Sequence, residues 1–210
     1  RFPEGRGSGV QRRQMTPPAE ANVHALAIEG DFDAAQARVK DMFNDHAFRD
    51  AVGLAAVNSI NWARVLAQTV YYVTAAASLG APQRPVSFTV PTGNFGDVFA
   101  GYVAKRMGLP IDKLVVATNQ NDILHRCLTT GRYEAEGVVP SISHSMDIKV
   151  SSNFERALFD VYDRDGAAVA QLMEEQKARG GFALSQGALA RLREVFASGR
   201  ASEEETRATI

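Results

Sequence analysis

Hydrophobic and polar positions alternate between two patterns along the first two-thirds of the chain. Short apolar runs with the length of a strand are each followed by a polar or glycine-containing turn, and then by apolar residues at helical spacing. The predicted strands lie at residues 23–28, 53–57, 86–90 and 113–117. The helices predicted to follow them lie at residues 32–43, 62–80, 98–107 and 123–130. These strand–helix repeats indicate βαβ units, and they therefore predict an α/β fold with a parallel β-sheet covered by helices on both faces.

The final third of the chain is predicted to be mainly helical. Residues 138–150 are typical of a loop, and helical spacing returns after them. The predicted helical segments are 153–160, 167–179, 185–198 and 202–210. We therefore expect residues 1–150 to form the βαβ portion of the fold and residues 151–210 to form a mainly helical continuation.

The two ends of the sequence lack the features of complete termini. The first residue is Arg1 rather than Met, and no apolar segment typical of a signal peptide follows it. Near the other end, Ser202 and Glu205 have the spacing of a capping box, but the helix they would start has little room before the chain stops. A frayed natural tail is one interpretation. We favour a chain truncated within a larger protein.

The composition narrows the functional classes. The sequence of 210 residues is 45% hydrophobic and 22% charged, which is typical of a folded globular chain rather than a disordered one. Its net charge of −1 gives no electrostatic basis for a dedicated nucleic-acid-binding protein. The sequence contains no apolar run long enough to predict a membrane span. Its single cysteine excludes an internal disulfide and a cysteine-rich zinc site, so we expect a protein of the reducing cytoplasm.

The segment Thr92–Asp97 is the strongest candidate for a ligand site. It lies between a predicted strand and a predicted helix, and Gly93 and Gly96 allow the backbone to approach a ligand closely. Backbone N–H groups at the N-terminus of the helix, together with the helix dipole, favour a bound phosphate. The segment matches neither a Walker A loop nor the G-x-G-x-x-G pattern. A tight turn without a ligand is the alternative interpretation.

Polar residues also follow two other predicted strands. Asn58–Asn61 and Asn119–Asp122 each lie at a strand-to-helix junction, where amide and hydroxyl groups can bind substrate oxygens. Parallel sheets bind their ligands at the carboxyl ends of the strands, so the three junctions together predict one crevice. Ordinary N-caps of the following helices are the alternative interpretation of both segments.

Familiar catalytic and metal-binding patterns are poorly represented. The histidines are His24, His46, His125 and His144. No pair of them has the H-x-x-x-H spacing of a helical metal site. Cys127 lies among leucines on a predicted helix and is expected to be a buried thiol. The segment Ser143–Asp147 contains serine, histidine and aspartate, but adjacency in sequence is not triad geometry. We therefore predict no catalytic residue and no metal ligand in this chain.

A set of short sequence blocks occurs in an order that identifies a family. The blocks are Pro3–Arg6 with Gln11–Met15, Glu29–Asp33, Asn58–Asn61, Pro91–Asp97, Ala117–Asp122, and Met146–Ile148 with Ser151–Arg156. Together they resemble the threonine synthases, enzymes that use pyridoxal 5′-phosphate (PLP) and have the tryptophan-synthase β fold, also called fold type II. The resemblance extends over nearly the whole chain, and the order of the blocks makes it specific.

The resemblance implies an enzyme that converts O-phosphohomoserine and water to L-threonine and phosphate. The family's Schiff-base lysine lies in a Phe-Lys-Asp motif that this sequence lacks, and the family's C-terminal end is missing too, so this fragment alone is expected to be inactive. The residues that match the family's loop for the cofactor phosphate are Gly93, Asn94, Phe95, Gly96 and Asp97. The residues assigned to substrate binding, because they match polar positions of the active-site crevice, are Ser59, Asn61 and Asn121.

Departures from the family's pattern leave the fit of the substrate open. Ser8–Val10 and Ser143–Ser145 differ from the segments common in related sequences. Another fold type II PLP lyase, such as a threonine dehydratase or a phospholyase, is an alternative within the same fold. A non-catalytic α/β module that binds phosphate is the alternative from a different class. The sequence leaves the oligomeric state open.

Overall fold

The computed structural model describes residues 2–3, 13, 16, 20–29, 32–56 and 61–210 of the chain. The chain forms two compact units, residues 1–56 and residues 57–210. The elements described in the first unit are β1 (Phe2–Pro3), β2 (Ala27–Ile28), α1 (Phe32–Asn44) and α2 (His46–Ala51). β1 and β2 pair in parallel, and the Asp45 side chain caps α2 by accepting a hydrogen bond from the Phe48 N–H at 3.0 Å.

The first unit confirms the predicted helix but little of the predicted strands. α1 begins at Phe32, as the spacing of apolar residues indicates. The strand predicted at residues 23–28 is reduced to the two residues of β2. The strand predicted at residues 53–57 is wrong over its described part, because Gly53 turns the chain with a φ of +60° and residues 54–56 form neither strand nor helix. Val57 lies outside the described residues.

The second unit contains the main sheet. Its elements in chain order are α3 (Trp62–Ser78), β3 (Val86–Pro91), α4 (Gly96–Arg106), β4 (Ile111–Thr118), α5 (Ile123–Thr130), β5 (Arg132–Glu134), a 3₁₀ turn (His144–Met146), α6 (Phe154–Val161), α7 (Gly166–Arg179), β6 (Gly181–Ala183), α8 (Gln186–Val195), β7 (Phe196–Arg200) and α9 (Glu203–Thr209). The strand order is β3-β4-β7, with both pairs parallel, while β5 pairs antiparallel with β6. The predicted α/β fold with a parallel sheet is confirmed.

β7 is the element that sequence patterns misassigned. Helical spacing predicts one helix over residues 185–198, but α8 ends at Val195 and the chain continues directly into β7. The Phe196 ring packs against the rings of Phe95 and Tyr102, with centroids 5.3 and 5.6 Å away, and this burial favours the strand. Residues after 151 therefore complete the sheet of the preceding segment, and the predicted division at residue 150 stays a prediction.

One face of the sheet carries the core. Phe88, Leu114 and Phe196 are paired across the strands and so project to the same side. α3 and α4 pack closely on this side. A Cβ at Gly101 of α4 would lie 2.7 Å from the ring of Tyr72 in α3 and 2.8 Å from Leu114. On the opposite face, Thr89 is exposed while its paired neighbours Val115 and Ala197 are half-buried. The side chains that these strands bury against α3 and α4 therefore lie on the first of the two faces.

The last helix begins as the sequence predicts. The Ser202 N–H donates to Oε2 of Glu205 at 2.7 Å, and the Glu205 N–H donates to Oγ of Ser202 at 3.1 Å, which completes the capping box. Across the described parts of the chain, no helix combines the length and the apolar character needed to cross a membrane.

Candidate functional site

The junction between β3 and α4 forms a tight, ordered loop. The Thr92 N–H donates to the Ala117 carbonyl at 2.8 Å, which continues the sheet one residue beyond β3. Phe95 then adopts a left-handed backbone with a φ of +63° immediately before α4 begins at Gly96. This conformation is unfavourable for a non-glycine residue. It is stabilised by the buried Phe95 ring, which packs edge-on against Phe154 at 5.2 Å.

Hydrogen-bond donors line the N-terminus of α4. A helix leaves its first N–H groups without intrahelical acceptors, and here they belong to Gly96 and the two residues after it. The preceding carbonyls are bonded elsewhere: Ser151 Oγ donates to the Gly93 carbonyl at 2.9 Å, and Asn153 Nδ2 donates to the Asn94 carbonyl at 2.9 Å. The loop therefore offers donors and the positive end of the helix dipole, a combination that favours an anion.

A cavity of about 310 Å³ lies in front of this loop. Its lining comprises Arg64 and Gln68 of α3, residues 91–98, and Ser145. Arg64 and Gln68 are one helical turn apart and so share a face of α3. Arg64 brings a positive charge to a cavity that already contains the N-terminus of α4. Neither residue was among those predicted from the sequence, although their spacing from Asn61 on a predicted helix was an available signal.

Gly93 is required by a close backbone contact. A Cβ at this position would lie 2.4 Å from the carbonyl oxygen of Ser145, which is shorter than any real contact. The backbone of the 3₁₀ turn thus packs directly on the loop and forms one wall of the cavity. This is a structural reason for glycine at a position that sequence analysis assigned to ligand approach.

The Asp97 carboxylate is engaged by two tyrosines of α3. Its Oδ1 accepts hydrogen bonds from the hydroxyls of Tyr71 at 2.5 Å and Tyr72 at 2.9 Å. Burial, together with the charge of Asp97 and these hydrogen bonds, raises the pKa of both tyrosines above the usual value. The tyrosines therefore stay protonated and stabilise the negative charge. Asp97 lines the cavity, and its backbone N–H is the group suited to an anion.

The predicted substrate-binding residues are distributed differently. Ser59 lies outside the described residues. Asn61 is the N-cap of α3, and its Oδ1 accepts a hydrogen bond from the Ala63 N–H at 2.9 Å, as the alternative interpretation of this junction predicted. Asn121 bonds to the loop that follows β5: its Nδ2 donates to the Val139 carbonyl at 2.9 Å. Within the described part of the chain, neither asparagine is among the residues that line the cavity, so their substrate role stays a prediction.

The other candidate groups lie in structural settings. Burial raises the pKa of the Cys127 thiol to about 12, so this group is a poor nucleophile at neutral pH. Nδ1 of His144 lies 3.7 Å from Oδ2 of Asp147, and both residues lie in the segment predicted to be a loop, at the 3₁₀ turn and directly after it. Among the residues that the structure describes, no cluster of histidine, cysteine or carboxylate groups could hold a metal ion.

Comparison with known proteins identifies the family. No protein-family model matches the chain. A threonine synthase from Pseudomonas aeruginosa is 54% identical over 99% of this chain and 44% of its own length. A crystal structure of a PLP-bound threonine synthase from Brucella melitensis matches 100% of the chain and 45% of its own, with a TM-score of 0.88 and 61% identity. The chain belongs to the threonine synthase family.

A second organism gives the same result in sequence and in structure. A threonine synthase from Saccharomyces cerevisiae is 43% identical over 100% of this chain, and the crystal structure of the yeast threonine synthase matches with a TM-score of 0.84. The resemblance inferred from the ordered blocks is thereby confirmed. The chain spans less than half the length of these threonine synthases, 44% and 43% of the two curated relatives.

Proposed function

We propose that the cavity between α3 and the β3–α4 loop binds the phosphate group of PLP, and that this chain is the phosphate-binding part of a threonine synthase. The reaction of the complete enzyme is the conversion of O-phosphohomoserine and water to L-threonine and phosphate. The observation that carries this proposal is the N-terminus of α4, where the first N–H groups face a cavity while the Gly93 and Asn94 carbonyls bond to Ser151 and Asn153. We further propose a cytoplasmic enzyme.

The residues present fit a phosphate monoester. The N–H groups of the first turn of α4 supply oriented donors, and Arg64 adds positive charge to the same cavity. Gly93 keeps the backbone wall close, because any side chain there would collide with the Ser145 carbonyl. A dianionic group therefore gains hydrogen bonds and charge neutralisation from a site that needs little rearrangement.

The chain's contribution to the reaction is binding and orientation. When bound, PLP supplies the electron sink for proton removal from the substrate. The cavity residues hold the phosphate at a fixed position and provide a preorganised electrostatic environment. Ser59, Asn61 and Asn121 are proposed to contact the substrate. We assign no catalytic acid or base to this chain. Of the described titratable groups that line the cavity, Arg64 is proposed to neutralise the phosphate, and the Asp97 carboxylate bonds to two tyrosines.

Borohydride reduction of the complete gene product tests the proposal. Peptide mapping should find a pyridoxyl-lysine outside this 210-residue sequence, and Arg64→Gln should weaken the affinity for PLP by about tenfold through the loss of one charge-assisted contact. Arg84→Gln, which removes an arginine that does not line the cavity, is the matched control. Absence of both the labelled lysine and cofactor absorbance would refute the proposal and favour a non-catalytic phosphate-binding module.

Substrate turnover separates threonine synthase from related lyases. We expect phosphate release from O-phosphohomoserine, with formation of threonine. Deamination of threonine, or phosphate release from phosphoethanolamine in preference to O-phosphohomoserine, would assign the chain to a dehydratase or a phospholyase instead. No contact in the described cavity favours either alternative.

A further inference from the structure

The Asp147 carboxylate gathers hydrogen bonds at the segment Ser141–Asp147, to which the Glu203 carboxylate also bonds by accepting from the Ile142 N–H at 3.3 Å. Oδ1 of Asp147 accepts hydrogen bonds from Asn119 Nδ2 at 2.8 Å, from Asn121 Nδ2 at 3.0 Å and from Ser141 Oγ at 2.7 Å. Oδ2 of Asp147 accepts a further hydrogen bond from the Ser141 N–H at 2.9 Å. Every one of these partners is a donor. The position therefore requires a group that only accepts, which among side chains of this size is an ionised carboxylate.

The donors connect the segment to the carboxyl edge of the sheet. Asn119 follows β4 directly and is buried, as is Ser141. Oδ1 of Asn119 accepts a hydrogen bond from the Asn121 N–H at 2.8 Å, and Oδ1 of Asn121 accepts one from the Val139 N–H at 2.8 Å. The end of β4 and the loop that precedes the turn thus form one connected polar network, in which Asp147 is the shared acceptor.

The same segment reaches the cavity through Ser145. The Met146 N–H donates to the Ser143 carbonyl at 2.8 Å, and the Asp147 N–H donates to the His144 carbonyl at 3.2 Å, so the 3₁₀ turn couples Asp147 to Ser145 over two residues. Ser145 lines the cavity, and its carbonyl oxygen is the atom that a Cβ at Gly93 would approach to 2.4 Å. A shift of Asp147 would therefore move this wall.

We propose that Asp147 is a positioning residue for the anion cavity: by gathering Asn119, Asn121 and Ser141, it places the backbone of Ser145 against Gly93. Asp147 does not itself contact the bound phosphate. It acts through the turn, by keeping the wall of the cavity closed. This inference rests on the proposed phosphate-binding function for its effect on PLP, whereas its effect on the turn is independent of any ligand.

Asp147→Asn in the complete gene product is the principal test. The variant keeps the size of the side chain but directs an amide N–H toward converging donors. We expect the dissociation constant for PLP to rise by about tenfold, mainly through faster dissociation, because loosening a wall shortens the lifetime of a complex more than it slows encounter. Asp112→Asn is the matched control, since it makes the same change at an exposed position near the amino end of β4. We expect that control to bind PLP like the unmodified protein.

A paired exchange distinguishes positioning from general loss of structure. Asp147→Asn combined with Asn119→Asp restores one donor–acceptor pair with the roles reversed, and we expect it to recover part of the lost affinity. If Asp147→Asn fails to fold, Ser141→Ala removes only the hydroxyl contacts, which include the hydrogen bond to the Asp147 carboxylate. We expect a weakening of about threefold, because the asparagine and backbone donors to Asp147 remain. Equal PLP affinity of Asp147→Asn, Ser141→Ala and the unmodified protein would overturn the inference.

Hydrogen exchange separates the failure of this inference from the failure of the proposed function. Amides of residues 143–147 should exchange faster in Asp147→Asn than in the unmodified protein, with or without PLP. An unchanged exchange pattern there would overturn the positioning role. An unmodified protein that binds no PLP, combined with faster exchange in the variant, would instead refute only the proposed cofactor.

Discussion

The hydroxyl of Tyr72 donates a hydrogen bond of 2.9 Å to Oδ1 of Asp97 and joins α3 to the first turn of α4. The same hydroxyl lies 3.0 Å from the Asp97 carbonyl, and Tyr71 donates to the same carboxylate oxygen. This contact stabilises a negative charge beside a site built for an anion. Asp97 also lines the cavity, and because its carboxylate bonds to these two tyrosines, the acidic residue in the loop is compatible with phosphate binding.

Tyr72→Phe should destabilise the chain more than Tyr71→Phe. Tyr72 is 3% exposed and Tyr71 is 44% exposed, so the buried hydroxyl contributes more to stability than the one that water can replace. We expect losses of about 1–2 kcal/mol for Tyr72→Phe and below about 0.5 kcal/mol for Tyr71→Phe in urea unfolding at neutral pH. Equal losses in the two variants would contradict the assigned role of burial.

Stability should fall above pH 10, and Tyr72 should account for part of the fall. The raised pKa means that the folded chain keeps the Tyr72 proton while the unfolded chain loses it near the usual pKa of 10.0. Below that pH both states are protonated and the contribution is complete; above it the unfolded state is increasingly favoured. Urea unfolding from about pH 8 to about pH 11 should give a shallower decline for Tyr72→Phe.

The buried Cys127 thiol also lowers stability in alkaline solution, but it does not disturb that comparison. The pKa of Cys127 is also raised by burial, to about 12, so it lowers stability in the same alkaline range. It is present in both proteins and cancels in their difference. Parallel declines for Tyr72→Phe and the unmodified chain would show that the Tyr72 pKa is not raised by folding.

Asp122→Asn should destabilise the chain at neutral pH but less so in acid. Burial alone would raise the pKa of Asp122, but the hydrogen bonds and charges of Arg200 and Arg126 outweigh burial and hold this pKa below 3.8. The stabilisation is complete above the usual pKa and is lost as the pH falls through the lowered value. We expect a loss of about 1–3 kcal/mol at pH 7 that shrinks below pH 3.8.

Glu136→Gln is the matched control for Asp122→Asn, because Glu136 bonds to the same Arg126. The Glu136 side chain is 69% exposed and that of Asp122 is 7% exposed. An exposed ion pair contributes below about 1 kcal/mol, so we expect a much smaller loss. A loss as large as that of Asp122→Asn would show that burial does not decide the strength of these pairs.

Gly96→Asp should weaken PLP binding in the complete gene product. The substitution places a negative charge in the first turn of α4, where the bound phosphate is proposed to lie, and we expect the dissociation constant to rise by at least about tenfold. Spectroscopic titration with PLP measures it. Gly187→Asp makes the same change in the first turn of α8, where a new Cβ meets nothing within 4 Å, and should leave binding unchanged. Equal affinities in both variants would place the phosphate elsewhere.

The sequence by itself determined the features that depend on neighbours within a few residues. Apolar spacing and capping residues located α1, α3 and α9, and short apolar runs with the length of a strand located β3 and β4. The glycine-bearing loop between β3 and α4 was identified because local backbone chemistry is encoded in adjacent residues.

Only the tertiary structure decided what distant residues do together. β7 is a strand because Phe196 pairs opposite Leu114 and packs on Phe95, and no local pattern reports that partner. Arg64 lines the cavity because α3 packs beside α4. Ser145 lines it because Asp147 holds the neighbouring turn by accepting a hydrogen bond from Asn119, which follows β4. Such contacts join residues far apart in sequence, so their free energy depends on the folded arrangement rather than on any segment alone.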